Sequence, residues 1–162
     1  MNEGCASKVL LVATNLSLSK MYKVLVPVDE DVERAKRAAE VVSNLPYASE
    51  SVEVSILNVL QEFEVSDEYG RTDSEDLYDE KDIPKSAVVI SDYFEDQDIS
   101  ASLQRKHGDP AEEIIDVADE LDADAIVMGG RKRSPVSKVV FGSVAQDTLL
   151  KANRPVTIIS VD

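Results

Sequence analysis

The chain has 162 residues, 43% of them apolar, and a formal net charge of −15 from 32 acids against 17 bases. That length fits one domain with a sizeable core, and no apolar run approaches the roughly 18 residues of a membrane span. The negative far field repels phosphate backbones and anionic lipid, which argues against nucleic acid or membrane as a partner, while the lack of a long apolar run and of a convincing signal segment leads to the expectation of a soluble, cytoplasmic protein.

Residues 1–20 carry an apolar patch, Val9–Ala13, with no clear pairing pattern. The patch is too short for a convincing signal segment. It reads as an N-terminal extension that is dispensable for folding, and the domain is expected over residues 21–162. Met21–Asp29 has the run of a short buried strand, ended by Pro27 and Asp29. From Glu30 to Asn44, Val32, Ala35, Ala38, Ala39, Val41 and Val42 recur at helical spacing, and Pro46 stops that helix. Val52–Leu60 is a second strand. Residues 61–82 form a strongly acidic, solvated loop whose only bases are Arg71 and Lys81. Pro84 opens a helix to about Asp96 with Ala87, Val88, Ile90 and Phe94 inward. A weaker, alternating strand covers residues 99–106. Gly108-Asp109-Pro110 is a sharp helix start, with Asp109 as N-cap, Pro110 in the first turn, and Glu112 and Glu113 at the positive end. That helix runs to about Leu121. A strand over residues 125–129, a helix over 142–152 and a last strand over 155–161 complete the chain.

Strand–helix alternation five strands deep implies an α/β fold. The expected form is a single five-stranded parallel sheet, doubly wound and Rossmann-like, with helices on both faces. Ligands of such sheets bind beyond the carboxyl ends of the strands, where strand order reverses. In the order 3-2-1-4-5, Asp29 and Gly129 flank that point.

The most informative stretch is Gly129–Ser143. A glycine pair ends a strand, and Gly142-Ser143 starts a helix. Glycines let backbone approach a phosphate, and free helix N–H groups point at it. No acid occurs from Ala125 to Gln146, yet Arg131, Lys132, Arg133 and Lys138 do. The competing reading is a solvated basic face paired with acidic neighbours. Gly142-Ser143 also reads as an ordinary capped helix start, and Asp29 as the cap of the helix that follows it. Cys5 and His107 are the single cysteine and histidine. With no Cys–His cluster, neither a metal site nor a nucleophile–base pair can be assigned, and no residue is designated catalytic. His107 reads as structural. Acids on nearly every segment suit a very salty cytoplasm, where hydrated carboxylates maintain solubility.

Taken in order, Tyr22–Asp29, Gly108–Ile115, Asp124–Gly129, Phe141–Val144 and Arg154–Val156 resemble the universal stress protein family, over nearly all of residues 21–162. ATP-binding members share a loop of Gly, two residues, Gly, nine residues, Gly, then Ser or Thr. Gly129 matches the first glycine, and Gly142 with Ser143 matches the last pair. Lys132 stands at the middle glycine. Its side chain either crowds the backbone path or sets an ammonium against a phosphate. The resemblance implies that Asp29 lies near adenine and ribose, that the Val59 backbone contacts the base, and that Ser143 donates to phosphate. Val59 is equally explained by core packing. The implied ATP site, with magnesium or manganese as companion, comprises Pro27, Val28, Asp29, Val59, Met128, Gly129, Gly130, Lys132, Arg133, Gly142, Ser143 and Val144. The resemblance further implies a stress-response module that dimerises through its last strand and contacts an unidentified protein partner. Alternatives are a scaffold or regulator without nucleotide, because Lys132 has removed the site, and a slow ATPase, for which no base beside the loop is evident.

Overall fold

The computed structural model describes residues 20–61, 83–131 and 141–161. The extension before Lys20, the acidic stretch 62–82, and Lys132, Arg133 and Lys138 lie outside the described residues. In chain order the elements are β1 (Tyr22–Val28), α1 (Val32–Ser43), α2 (Ala48–Ser51), β2 (Val52–Leu60), α3 (Lys85–Asp96), β3 (Ser100–His107), α4 (Pro110–Glu120), β4 (Ala125–Arg131), α5 (Ser143–Lys151) and β5 (Val156–Val161). All strand pairs are parallel and the order is β3-β2-β1-β4-β5, as expected.

Alternation along the strands feeds two cores. Val24, Val26, Val54 and Ile56 face α1 and α3, which contribute Ala35, Ala38, Ala39, Val42, Ala87, Ile90 and Phe94. Leu25, Leu57, Ile126 and Met128 face α4 and α5, which contribute Ile114, Val117, Ala118 and Ala145. The alanines of α1 let that helix lie close to the sheet. Two valines expected on inward faces are not there: Val41 is 36% exposed and Val88 is 45% exposed. Each sits about 100° around its helix from a buried neighbour, so 3.6-residue periodicity turns it to solvent.

Two other expectations change in detail. Pro27 does not end β1, which continues to Val28. Asp29 does not cap α1. The N-cap is Asp31, whose carboxylate accepts from the Arg34 backbone N–H at 3.0 Å. The start of α4 is as read: Gly108 has φ +142°, and Asp109 accepts from the Glu112 N–H at 3.1 Å, with Pro110 first in the helix. The short α2 was not anticipated.

The far end of α4 depends on Arg154. Its guanidinium Nη1 donates to the carbonyls of Ala118 and Ala123, each at 2.6 Å, and Nη2 reaches the Asp119 carboxylate. The side chain is only 13% exposed. The Ala118 carbonyl already accepts from the Ala123 N–H at 2.9 Å, so the largely buried cation adds a charged second donor there and ties the β5 approach to the end of the helix. Arg154→Ala is expected to lower unfolding free energy by about 1.5–3 kcal/mol, the scale for hydrogen bonds from a charged donor, as read from the urea midpoint.

At the amino end of the sheet, Asp124 accepts from the Lys23 backbone N–H at 2.9 Å and from Lys20 Nζ at 3.4 Å. The Lys23 amide, and then Lys20, hold its carboxyl below the usual carboxylate range. A depressed folded value means a contribution that is complete above the ordinary range and fades as pH falls through the folded value. Asp124→Asn is therefore expected to be less stable than the parent at neutral pH and to converge on it in acid. Urea unfolding at the two pH values reads the difference.

Candidate functional site

The site is a crevice created where β1 and β4 part. Their ladder holds only Val24–Ala125 and Leu25–Ile126, whereas β4 pairs with β5 as far as Arg131–Val161. The reason lies in β1. Lys23 donates its N–H to Asp124 and accepts the Asp124 N–H at 2.8 Å, so its main chain faces β4. Strand alternation gives Leu25 and Pro27 the same facing. Pro27 has no N–H, so the ladder loses its next donor on that side. Above this point the strands diverge around a cleft of about 650 Å³ at their carboxyl ends. The cleft therefore sits at the reversal of strand order, the position expected for a ligand in this architecture.

The cleft gathers every described residue of the expected site: Pro27, Val28 and Asp29 from β1, Val59 from β2, Met128, Gly129 and Gly130 from β4, and Gly142, Ser143 and Val144 at α5. Lys132 and Arg133 lie outside the described residues. Arg34, Asn58 and Arg131 also line the cleft and were not in the expected set. Arg131 was legible as part of the basic cluster. Arg34 was hidden as one more charge on an amphipathic helix, and Asn58 as one polar residue in a strand.

The three β-strand ends offer different chemistry. The Leu60 carbonyl accepts from the Gly108 N–H on the β3 side. Alternation turns the amide and carbonyl of Val59 the other way, past the last β1–β2 pair, Val28–Asn58. Val59 thus presents a backbone donor and acceptor to the cleft while its side chain packs on the second core. The core-packing reading of this residue holds. Asn58, 5% exposed, donates Nδ2 to the Val28 carbonyl at 3.2 Å, and its buried Oδ1 meets no donor among the described residues. Asp29 is half exposed at the end of β1. Its Oδ1 accepts from the Asp31 N–H at 2.9 Å, and its Oδ2 accepts from Arg34 at 2.6 Å with Arg131 at 3.9 Å.

The glycines separate by cause. A Cβ on Gly129 would stand 2.7 Å from Arg34 Cβ, and one on Gly130 would stand 2.7 Å from Ile158 Cγ2. Packing alone requires both. Among the described residues, a Cβ on Gly142 would meet nothing nearer than Arg131 Cβ at 3.9 Å, and its φ of −58° suits any residue. Among the described glycines, Gly142 is thus the one that neither packing nor backbone conformation requires.

The start of α5 differs from those of α1 and α4. Those two have Asp caps and acids in the first turn. Here Gly142 is the N-cap, Ser143 is the first helical residue rather than the cap, no side chain caps the turn, and no acid lies in it. Among the described residues no side chain engages its first N–H groups, and the positive end of the helix dipole lies behind them. α3 also lacks an acidic first turn, but its Ser86 hydroxyl is bonded to the Asp29 carbonyl. The α5 start, the open face of Gly142 and the orphaned Asn58 oxygen fit an anionic ligand with polar edges at the other end. Among the described residues no cluster of His, Cys, Asp and Glu could hold a metal ion, and no helix is long and apolar enough to cross a membrane.

Residues 21–160 match a family model described as the universal stress protein family. The stress response protein NhaX of Bacillus subtilis is 35% identical over 80 residues, 49% of this chain and 46% of that protein, so the match spans under half of this relative. A universal stress protein structure from Archaeoglobus fulgidus is 35% identical with a TM-score of 0.64, covering 85% of this chain and 97% of that one. The structure of the universal stress protein from the same organism in complex with dAMP is 31% identical with a TM-score of 0.59, covering 85% and 96%.

The glycine assignments are directly testable. Gly129→Ala is expected to cost about 1–3 kcal/mol by overpacking, whereas Gly142→Ala should change stability by under about 0.5 kcal/mol. Equal losses in chemical denaturation would contradict the separation.

Proposed function

The chain belongs to the universal stress protein family, and on that premise we propose that its cleft binds an adenine nucleotide, with ATP as the leading ligand, in a cytoplasmic stress-response module. The observation that carries this reading is the union, in one crevice, of a backbone donor–acceptor edge at Val59, a carboxylate at Asp29 and an uncapped helix start at Gly142-Ser143. An adenine edge needs one donor and one acceptor, a ribose needs an acceptor for its hydroxyls, and phosphates need N–H groups and positive charge. A related protein of this family is known in complex with dAMP, which supports a nucleoside at one end and phosphate at the other. In this reading the Val59 backbone and Asp29 hold the nucleoside, and Ser143, the first α5 amides and the basic segment beginning at Arg131 hold the phosphates. A divalent cation would accompany the phosphates and neutralise part of their charge.

A second reading has one specific support. Packing accounts fully for Gly129 and Gly130, so these glycines persist in a protein with no nucleotide, and Lys132 departs from the ATP-binding loop. Under that reading the chain is a regulator or scaffold of the same fold. Under either, β5 is an edge strand with Val156, Ile158, Ile159 and Val161 half buried, and Leu150 of the neighbouring α5 is 74% exposed. An edge of this kind invites pairing with a second copy. Light scattering across salt concentrations is expected to give twice the chain mass, and a monomer at every salt concentration contradicts the dimer.

Nucleotide released from heat-denatured protein, identified by mass, is the direct measurement. Ser143→Ala should weaken ATP binding by about 1.5–3 kcal/mol, the scale of one hydrogen bond to a charged group, and Gly142→Leu should weaken it further. Lys132→Gly separates the roles of that residue: affinity falls if the ammonium serves a phosphate and rises if the side chain blocks the cradle. No binding of ATP, ADP or AMP at millimolar concentration by the parent or by Lys132→Gly establishes the scaffold reading instead.

A further inference from the structure

Arg34 is built into the cleft more firmly than a surface arginine of a helix. Its side chain is 13% exposed. Its stem lies on the bare backbone of Gly129, with Cβ, Cγ and Cδ at 2.7–3.2 Å from where a Cβ would project. Its two terminal nitrogens divide between carboxylates: Nη2 on Asp29 Oδ2 at 2.6 Å and Nη1 on Asp31 Oδ2 at 2.7 Å. Asp31 is itself fixed as the cap of α1. The fork therefore ties a carboxylate at the cleft to a rigid helix start, across the strand end on which it rests.

The consequence falls on Asp29. Both of its oxygens are held, Oδ1 by the Asp31 amide and Oδ2 by Arg34, yet the side chain is 50% exposed. An ionised carboxylate has about four acceptor positions and no donor. Among the described residues two are hydrogen-bonded, by the Asp31 amide and Arg34, with Arg131 3.9 Å from Oδ2, and the side chain remains half exposed. A carboxylate pinned this way cannot turn to suit a ligand. It accepts only a donor that arrives in the right place.

We propose that Arg34 is a specificity-positioning residue: by clamping Asp29 it fixes the acceptor that reads a hydrogen-bond donor on the nucleoside, either a ribose hydroxyl or the amino group of the base. The inference rests on the nucleotide reading of the same cleft. Arg34 itself touches no phosphate in this scheme. Its charge is matched by two carboxylates, so its contribution is geometric, and the ligand's orientation in the cleft costs less because the acceptor is already set.

A role exercised through Asp29 has a signature that a general structural role lacks. In a double-mutant cycle read by calorimetric titration with AMP, Arg34→Met is expected to weaken binding about tenfold in the parent and less than about twofold in an Asp29→Asn background. Met keeps an apolar stem over Gly129. Arg34→Lys keeps the charge without the fork and should behave like Met. Parallel titrations with dAMP and IMP identify the donor, because the analogue lacking it should be insensitive to Arg34→Met. Equal loss in both backgrounds, full retention of affinity by Met, or full rescue by Lys overturns the inference while leaving nucleotide binding intact. Absence of AMP and ATP binding by the parent overturns the nucleotide reading and this inference together.

Discussion

A missing backbone N–H in the middle of the sheet is the constraint from which the site follows. Proline is rare in central strands because it removes a ladder bond. β1 is the middle strand, and Pro27 sits where its main chain faces β4. The β1–β4 ladder ends after Leu25–Ile126 while every other pair continues. The sheet stays whole below that level and divides above it. α1 crosses from β1 over β4, where its Arg34 rests on Gly129, and the cleft opens beyond it at the carboxyl ends of the strands. A cleft at this level costs the fold little, since the apolar side chains beneath it, Leu25, Val26, Ile126 and Val127, remain buried in the two cores.

Residues that look alike in the loop then serve different physical ends. Gly129 makes room for the Arg34 stem and Gly130 for Ile158, so each is fixed by packing across one face of β4. Gly142 has no close neighbour, and begins a helix with no side-chain cap, among the described residues. Of these three, only the last has no packing requirement of its own among the described residues. The loop pattern thus mixes structural and ligand-facing requirements, and a departure at one position does not carry the same weight as a departure at another.

Electrostatics divide the cleft in the same way. The chain is acidic almost everywhere, and acids crowd the first turns of α1 and α4, where the helix dipole favours them. The first turn of α5 has none, and the segment leading into it carries bases only. At the end of β1, Asp29 and Asp31 are balanced by Arg34, with Arg131 reaching back toward Asp29 from the end of β4. A strongly negative protein can present a neutral pocket and a positive cradle because such interactions decay within about 10 Å in salt, so local arrangement outweighs net charge.

Much of this was legible in the chain itself. Apolar runs of strand length alternating with helical periodicity determined a parallel α/β sheet, because each strand can bury two faces only between helix layers. Gly108-Asp109-Pro110 determined a helix start from local backbone chemistry alone. The glycine and serine of Gly142-Ser143 were legible as a helix start, since that depends on neighbours in sequence. The tertiary structure decided what depends on residues far apart along the chain. It turned Val41 and Val88 outward, gave the α1 cap to Asp31 rather than Asp29, and made Pro27 the end of a ladder rather than of a strand. It also set Arg34 of α1 on Gly129 of β4, a pairing no local pattern encodes. Periodicity and capping arise from bonds within a turn or two of chain, whereas the shape of a cleft arises from which distant segments are brought into contact, and that is settled only when the sheet closes its order.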